Sequence, residues 1–222
     1  MESISIVLVF PLDVMNPLPI NHILDKLCTD RLTVIDDFLL EGEYQALLQF
    51  MHQLSNQNNF REAQIGSRQS SNRNSSIRSD KIFWLDNILQ QQSALHPYVK
   101  AIEKIMEICN KNLFSNIKTW EGHFAIYQPG SFYKKHVDQF KTNKDRQISC
   151  IYYLNDDWEI ENGGELLVYN ESNELLSNIL PKGNRFVCFR SELPHEVLPC
   201  FLRNRYSLTA WLKSPSIMPQ IF

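Results

Sequence analysis

Beyond Trp120 the chain breaks into short runs rich in β-branched and aromatic residues: GHFAIYQ, QISCIYYLN, GELLVYN, NRFVCF and RYSLTAWLK. Polar or Gly/Pro turns separate them, among them Asn162-Gly163-Gly164 and Pro181-Lys182-Gly183-Asn184. A closely spaced set of strands must bury one face of each, which predicts a β-barrel or sandwich for this half.

The first half reads differently. Leu32, Val34 and Ile35 make a short strand, and Asp36-Asp37 lead into a helix whose apolar positions Tyr44, Leu47, Leu48, Met51 and Leu54 recur at helical spacing. A second helix follows Pro97, carries Val99, Ile102, Ile105, Met106 and Cys109 on one stripe, and ends near Asn112. Between them, residues 66–80 read GSRQSSNRNSSIRSD, with Arg68, Arg73 and Arg78 and almost nothing to bury; this is a surface loop, either a plain connection or a lid. The first thirty residues have no clean period, although Ile4, Ile6, Leu8 and Phe10 alternate as an opening edge strand does. The expected fold class is mainly β with supporting helices. One domain is expected over residues 1–222, with helical support and the loop in 31–118 and the β core in about 119–213.

Composition narrows the function classes. A formal charge of −3 leaves no global positive field to gather DNA or RNA, so no nucleic-acid partner is expected. Five cysteines, an odd number without a C-x-x-C pair, suggest neither a disulfide framework nor a zinc knuckle and fit a reducing cytoplasm. Glu2 replaces the basic start of a signal peptide, Pro11 and Pro17 soon interrupt the apolar opening, and no apolar run is long enough to span a membrane.

Chemistry enters at His136-Val137-Asp138. Two residues apart on an extended segment, the imidazole and the carboxylate leave the same face, with Cα atoms about 7 Å apart, and both reach one ion. His195, at the edge of another strand, can supply a third ligand. Two histidines and a carboxylate with open positions is the arrangement of non-haem Fe(II) oxygenases, although H-x-D alone recurs by chance and zinc hydrolases also use such a set. Arg205 opens the last strand. Alternation places it on one face with Ser207, Thr209 and Trp211, and a guanidinium on a barrel's interior face requires a partner, either an acid of the chain or a ligand carboxylate held in two-pronged fashion. Thr209 can add a hydroxyl, and Ile151 and Tyr153 share a face of their strand so that both can reach the same ligand.

In order and spacing, IRSDKIFW, YQPGSFYKKHVD, DRQISCIYYLNDDW, GGELLVY, PHEVLP and RYSLTAW resemble the 2-oxoglutarate/Fe(II)-dependent prolyl hydroxylases, in particular the oxygen-sensing HIF prolyl hydroxylases and their bacterial relatives. The resemblance runs from about Ser76 to Trp211. It implies a double-stranded β-helix (jelly roll) of two four-stranded sheets, with the metal at the open end. It also implies that His136, Asp138 and His195 are iron ligands and that Arg205 pairs with the C5 carboxylate of 2-oxoglutarate. Tyr153 and Thr209 complete that pocket, Tyr127 lies close to cosubstrate or metal, and Ile151 and Trp211 are apolar walls. Arg78, Asp80 and Arg146 handle the protein substrate beside the loop. The implied cofactors are Fe(II), 2-oxoglutarate and O2, with ascorbate as a stimulant. The implied reaction is prolyl 4-hydroxylation of an intracellular protein presenting a proline-containing loop, yielding succinate and CO2. Rival readings make different demands. An AlkB-like nucleic-acid demethylase carries a second arginine about six residues after the first, where this chain has Trp211; a non-catalytic module of the fold loses a ligand or the arginine, and none is lost. A hydroxylase of a free amino acid or other small metabolite shares the core but has little need of the IRSDK segment and its long polar loop.

Overall fold

The computed structural model describes residues 20–57, 59–64, 73–86, 92–139 and 143–215. The alternating stretch from Ile4 to Phe10 and residues 66–72 of the serine-rich loop lie outside the described residues. Within them the order is α1 (Ile20–Thr29), β1 (Leu32–Ile35), α2 (Glu41–Asn56), β2 (Arg61–Glu62), β3 (Lys81–Trp84), α3 (His96–Leu113), β4 (Thr119–Tyr127), β5 (Tyr133–His136), β6 (Arg146–Tyr153), β7 (Leu166–Tyr169), β8 (Leu175–Ile179), β9 (Phe186–Arg190), β10 (His195–Val197) and β11 (Arg205–Lys213).

The strands form two antiparallel sheets, one in the order β1-β9-β6-β11-β4-β3-β2 and the other β5-β10-β7-β8. The expected pair of four-stranded sheets is contained in these: β9-β6-β11-β4 faces β5-β10-β7-β8, and the first sheet is widened by β1 on one side and by β3 and β2 on the other. The widening strands come from the helical half of the sequence, where no periodic signal names their partner.

Period-two alternation divides the interior into two layers. On β6, Ile148, Cys150 and Tyr152 face the helices, while Ile151 and Tyr153 face the second sheet. On β11, Leu208, Ala210 and Leu212 go to the helix side, where they meet the buried stripes of α2 (Tyr44, Leu47, Leu48, Met51, Leu54) and α3 (Tyr98, Ala101, Ile102, Ile105, Ile108, Cys109). Each such leucine or isoleucine, taken fully out of water, contributes about 1.5–3 kcal/mol. Asn184, in the left-handed region at φ 56°, locks the entry of α2 to the start of β9. Its amide oxygen accepts from the Leu39 N–H (2.9 Å) and the Tyr152 hydroxyl (2.7 Å), and its amide nitrogen donates to the Leu39 carbonyl (2.9 Å). The helix α1, which the aperiodic first thirty residues did not predict, adds Ile23 and Leu27 to the same core. No described helix is long and apolar enough to cross a membrane.

Candidate metal and cosubstrate site

Strand pairing brings the two histidines together. β10 runs antiparallel to β5 with His195 directly opposite His136, and their ring centroids lie 4.2 Å apart. Asp138 follows β5, tied down by its N–H to the Ser191 carbonyl (3.1 Å). Its carboxylate oxygens stand 3.8 Å from His136 Nε2 and 3.6 Å from His195 Nε2, and one donor atom from each residue falls within 4.8 Å of the others. The Nδ1 of each ring faces a backbone carbonyl, Lys134 O at 2.8 Å and Leu193 O at 3.0 Å. A carbonyl has no proton to give, so in the neutral rings Nδ1 carries the hydrogen and the Nε2 lone pairs point to the shared space. Burial, reinforced by the facing His195, pushes the His136 imidazole down to about 3. Burial opposes ionisation of Asp138, but the charges of His195, His136 and Arg146 and a hydrogen bond from Ser149 outweigh it and hold that carboxyl at about 2. At neutral pH the His136 ring is thus neutral and the Asp138 carboxylate anionic, deprotonated as a metal requires. It opens on a cavity of about 240 Å³. A three-donor N2O set with one open side suits Fe(II).

Tyr127, Ile151, Thr209 and Trp211 line this cavity, and Thr209 is the register partner of Ile151 across β11 and β6. Arg205 and Tyr153 are fully buried and lie outside the lining itself; the Tyr127 ring, which does line it, stands 4.8 Å from the guanidinium. No acid among the described residues forms an ion pair with Arg205. Among the described residues its side chain makes a long hydrogen bond from a terminal nitrogen to Ser207 Oγ (3.4 Å), and its other neighbours include the Tyr127 and Tyr153 rings. Arg205 Nε and Tyr153 Oη are buried without a hydrogen-bond partner among the described residues. Burial raises the Tyr153 phenol above its ordinary pKa while the guanidinium pulls against the rise. A buried cation whose own Nε is orphaned, with an orphaned tyrosine hydroxyl close by, is the complement of a carboxylate. Gly164, at φ 73°, makes room for it: a Cβ there would sit 2.9 Å from Arg205 Cδ and 2.8 Å from Cys200 Sγ.

At the mouth, Arg78 and Arg146 line the cavity and Asp80 does not. Asp80 is fully buried, with its oxygens taken by Arg78 Nε (2.8 Å) and a terminal nitrogen (2.6 Å). Burial pulls the Arg78 guanidinium down and the Asp80 charge more than offsets it, so its pKa lies above the ordinary value. The polar atoms of Asp80 hold Arg78, and Arg78 is the one of the pair that lines the cavity. Arg78 in turn covers the Tyr133 ring at 4.2 Å, and Tyr133 stacks on the His136 ring with centroids 3.5 Å apart. Arg146 pairs with Glu121 (2.8 Å) and lies 3.6 Å over the Trp211 ring. The site residues that escaped the sequence reading include Ser149, Ser191 and His123. Ser149 and Ser191 adjoin Asp138, and a serine inside a strand gives no periodic signal. His123 lines the cavity between Trp84 and Trp211, with 5.1 Å between centroids on each side. Its inward face was legible from Tyr127, four residues on along the same strand.

The family model described as the 2OG-Fe(II) oxygenase superfamily matches residues 122–213, which contain the triad and Arg205. Human Egl nine homolog 1 is 30% identical over 201 residues, covering 87% of this chain and 46% of that protein. The chain spans about half the length of the curated relatives it matches. Among solved structures, a Pseudomonas putida prolyl-4-hydroxylase aligns at 31% identity with TM-score 0.77, over 86% of this chain and 96% of the other. A Trichoplax adhaerens prolyl hydroxylase, in complex with a peptide fragment of the hypoxia inducible factor oxygen degradation domain, aligns at 27% identity with TM-score 0.79, over 87% and 88%.

Proposed function

The chain belongs to the 2OG-Fe(II) oxygenase superfamily, in its prolyl hydroxylase branch, and from that premise we propose that it hydroxylates a prolyl residue of an intracellular protein at C4. The observation that supports this most directly is one barrel interior holding both an open His-Asp-His set and a buried arginine that no described acid neutralises.

Fe(II), 2-oxoglutarate and O2, when bound, supply the oxidising chemistry, with succinate and CO2 as co-products. His136, Asp138 and His195 hold the ion through Nε2, a carboxylate oxygen and Nε2. The carbonyls of Lys134 and Leu193 keep the Nδ1 protons in place, so the ligating lone pairs stay aimed. Arg205 binds the far carboxylate of 2-oxoglutarate, Tyr153 Oη and the Thr209 hydroxyl donate to it, and Ile151 and Tyr127 pack on the carbon chain. Trp211 walls the cavity beside Arg146, which with Arg78 faces the substrate polypeptide.

Metal binding comes first. Purified chain is expected to take up about one Fe(II), or Mn(II) as an inert substitute, and Asp138→Ala or His195→Ala to remove most of it. Variants with wild-type affinity by calorimetry would contradict the ligand assignment. Substrate class is tested by incubating the enzyme with lysate, Fe(II) and 2-oxoglutarate and searching by mass spectrometry for one oxygen added to proline. Oxidation of free amino acids alone, at a rate unchanged by deleting residues 68–76, overturns the protein-substrate reading in favour of a small-molecule hydroxylase.

A further inference from the structure

We infer that Ser149 and Ser191 form a two-hydroxyl relay that positions the Asp138 carboxylate, engaging one oxygen so that the other is presented to the metal; this rests on the ligand reading proposed above. Ser149 Oγ lies 2.6 Å from Asp138 Oδ2 and 2.9 Å from Ser191 Oγ, and both serines are wholly buried. The proton directions follow from valence. An ionised carboxylate only accepts, so the single hydroxyl proton of Ser149 goes to Asp138. The Ser149 oxygen is left to accept, and Ser191 must donate across the second contact.

Ser191 is itself immobilised. Its N–H donates to the Gln147 carbonyl (3.1 Å), and its own carbonyl receives the Asp138 N–H (3.1 Å). One residue beyond β9 thus holds Asp138 by its backbone and, through Ser149 on β6, by its side chain. The two serines sit at the layer of β6, β9 and β11 where Ser149 pairs with Phe189 on one side and Trp211 on the other. Oδ1, 3.8 Å from His136 Nε2, receives no hydrogen bond from the described residues. Oδ2, which stands 3.6 Å from His195 Nε2, is committed to a short charge-assisted bond and Oδ1 is not, so Oδ1 is the oxygen that would hold an ion. Without the relay it is free to turn or to ligate through both oxygens.

Mn(II) affinity measured by calorimetry on wild type, Ser149→Ala, Ser191→Ala and the double variant tests this. Ser149→Ala is expected to weaken Mn(II) by about 10- to 100-fold, the range for a residue that orients a ligand. Ser191→Ala should weaken it by a smaller factor and add nothing once Ser149 is alanine. Co(II)-loaded Ser149→Ala should show visible absorption shifted from that of the Co(II)-loaded wild type as the carboxylate changes its hold on the ion. Thermal melting of the metal-free forms tracks folding separately, and should Ser149→Ala not fold, Ser191→Ala must still lower affinity. Wild-type affinity in Ser149→Ala, or in Ser191→Ala, overturns the relay and leaves the triad standing, as do additive losses in the double variant. A wild-type chain that binds no Mn(II) overturns relay and triad together.

Discussion

Arg78, nearly buried at the cavity mouth, and Arg205, fully buried, are both set against tyrosine rings, yet only one is complete. Arg78 holds Asp80 with two nitrogens and covers Tyr133; Arg205 lies near the rings of Tyr127 and Tyr153 with no described acid beside it. The same side chain in similar aromatic surroundings thus plays opposite parts. The guanidinium at the mouth has its counter-charge built in. The one in the interior carries an unmet demand, and an unmet demand inside a protein is how a fold specifies a ligand it does not yet contain.

Removing the built-in partner is expected to have the largest effect. Asp80→Ala leaves Arg78 buried and unpaired, so the free energy of unfolding should drop by roughly 3–5 kcal/mol in chemical denaturation; a loss within experimental error would mean Arg78 is as uncompensated as Arg205 and would erase the contrast. Arg205→Ala deletes the receptor instead. The 2-oxoglutarate requirement should rise by about 30-fold to several thousand-fold, corresponding to roughly 2–5 kcal/mol for a desolvated charge pair, with Mn(II) binding nearly unchanged. An unchanged cosubstrate titration removes Arg205 from the role.

The sharper test uses the metal-free, cosubstrate-free protein. Arg205→Met replaces a lone buried charge with an apolar side chain of similar length and should leave stability equal or raise it by about 1–4 kcal/mol, while abolishing the thermal shift that 2-oxoglutarate gives with Mn(II). A marked fall in melting temperature would show that the guanidinium is already satisfied. Smallest of all, Tyr153→Phe deletes a hydroxyl that has no hydrogen-bond partner among the described residues. Its stability should hold, and the 2-oxoglutarate requirement should rise only a few-fold, equivalent to roughly 0.5–1.5 kcal/mol for one hydrogen bond.

The contrast between the two arginines was not legible in the sequence, and the reason is distance along the chain. Local periodicity carried α2 and α3, whose buried stripes follow helical spacing, and it carried the inward face of β11, because Arg205, Ser207, Thr209 and Trp211 alternate within one strand. His136 and Asp138 were readable for the same reason. Asp80 was read as a surface group because its flank is serine and arginine; that its side chain is buried depends on segments brought from elsewhere, such as Phe132, whose carbonyl accepts from the Ser79 N–H. Ser149 and Ser191, 42 positions apart, meet only because β6 and β9 are neighbours. The helix α1 went unseen because its apolar residues follow a proline-interrupted stretch without a period, and β1 and β3 joined the large sheet through pairings that no local pattern encodes.

Because His136 faces His195 as a cross-strand partner, the gap between them belongs to the β5–β10 register and not to the 59 positions of sequence that separate them. The fold therefore sorts its own insertion sites. Residues added at the β7–β8 turn, where Asn170 and Glu174 close the hairpin through their backbones, lengthen a loop at little cost and leave the pairing of the two rings intact. One residue added within β5 turns every later side chain of that strand to the opposite face and takes His136 with it. Length variation among descendants of such a chain should accumulate in its outer hairpins and be nearly absent from two strands of four and three residues.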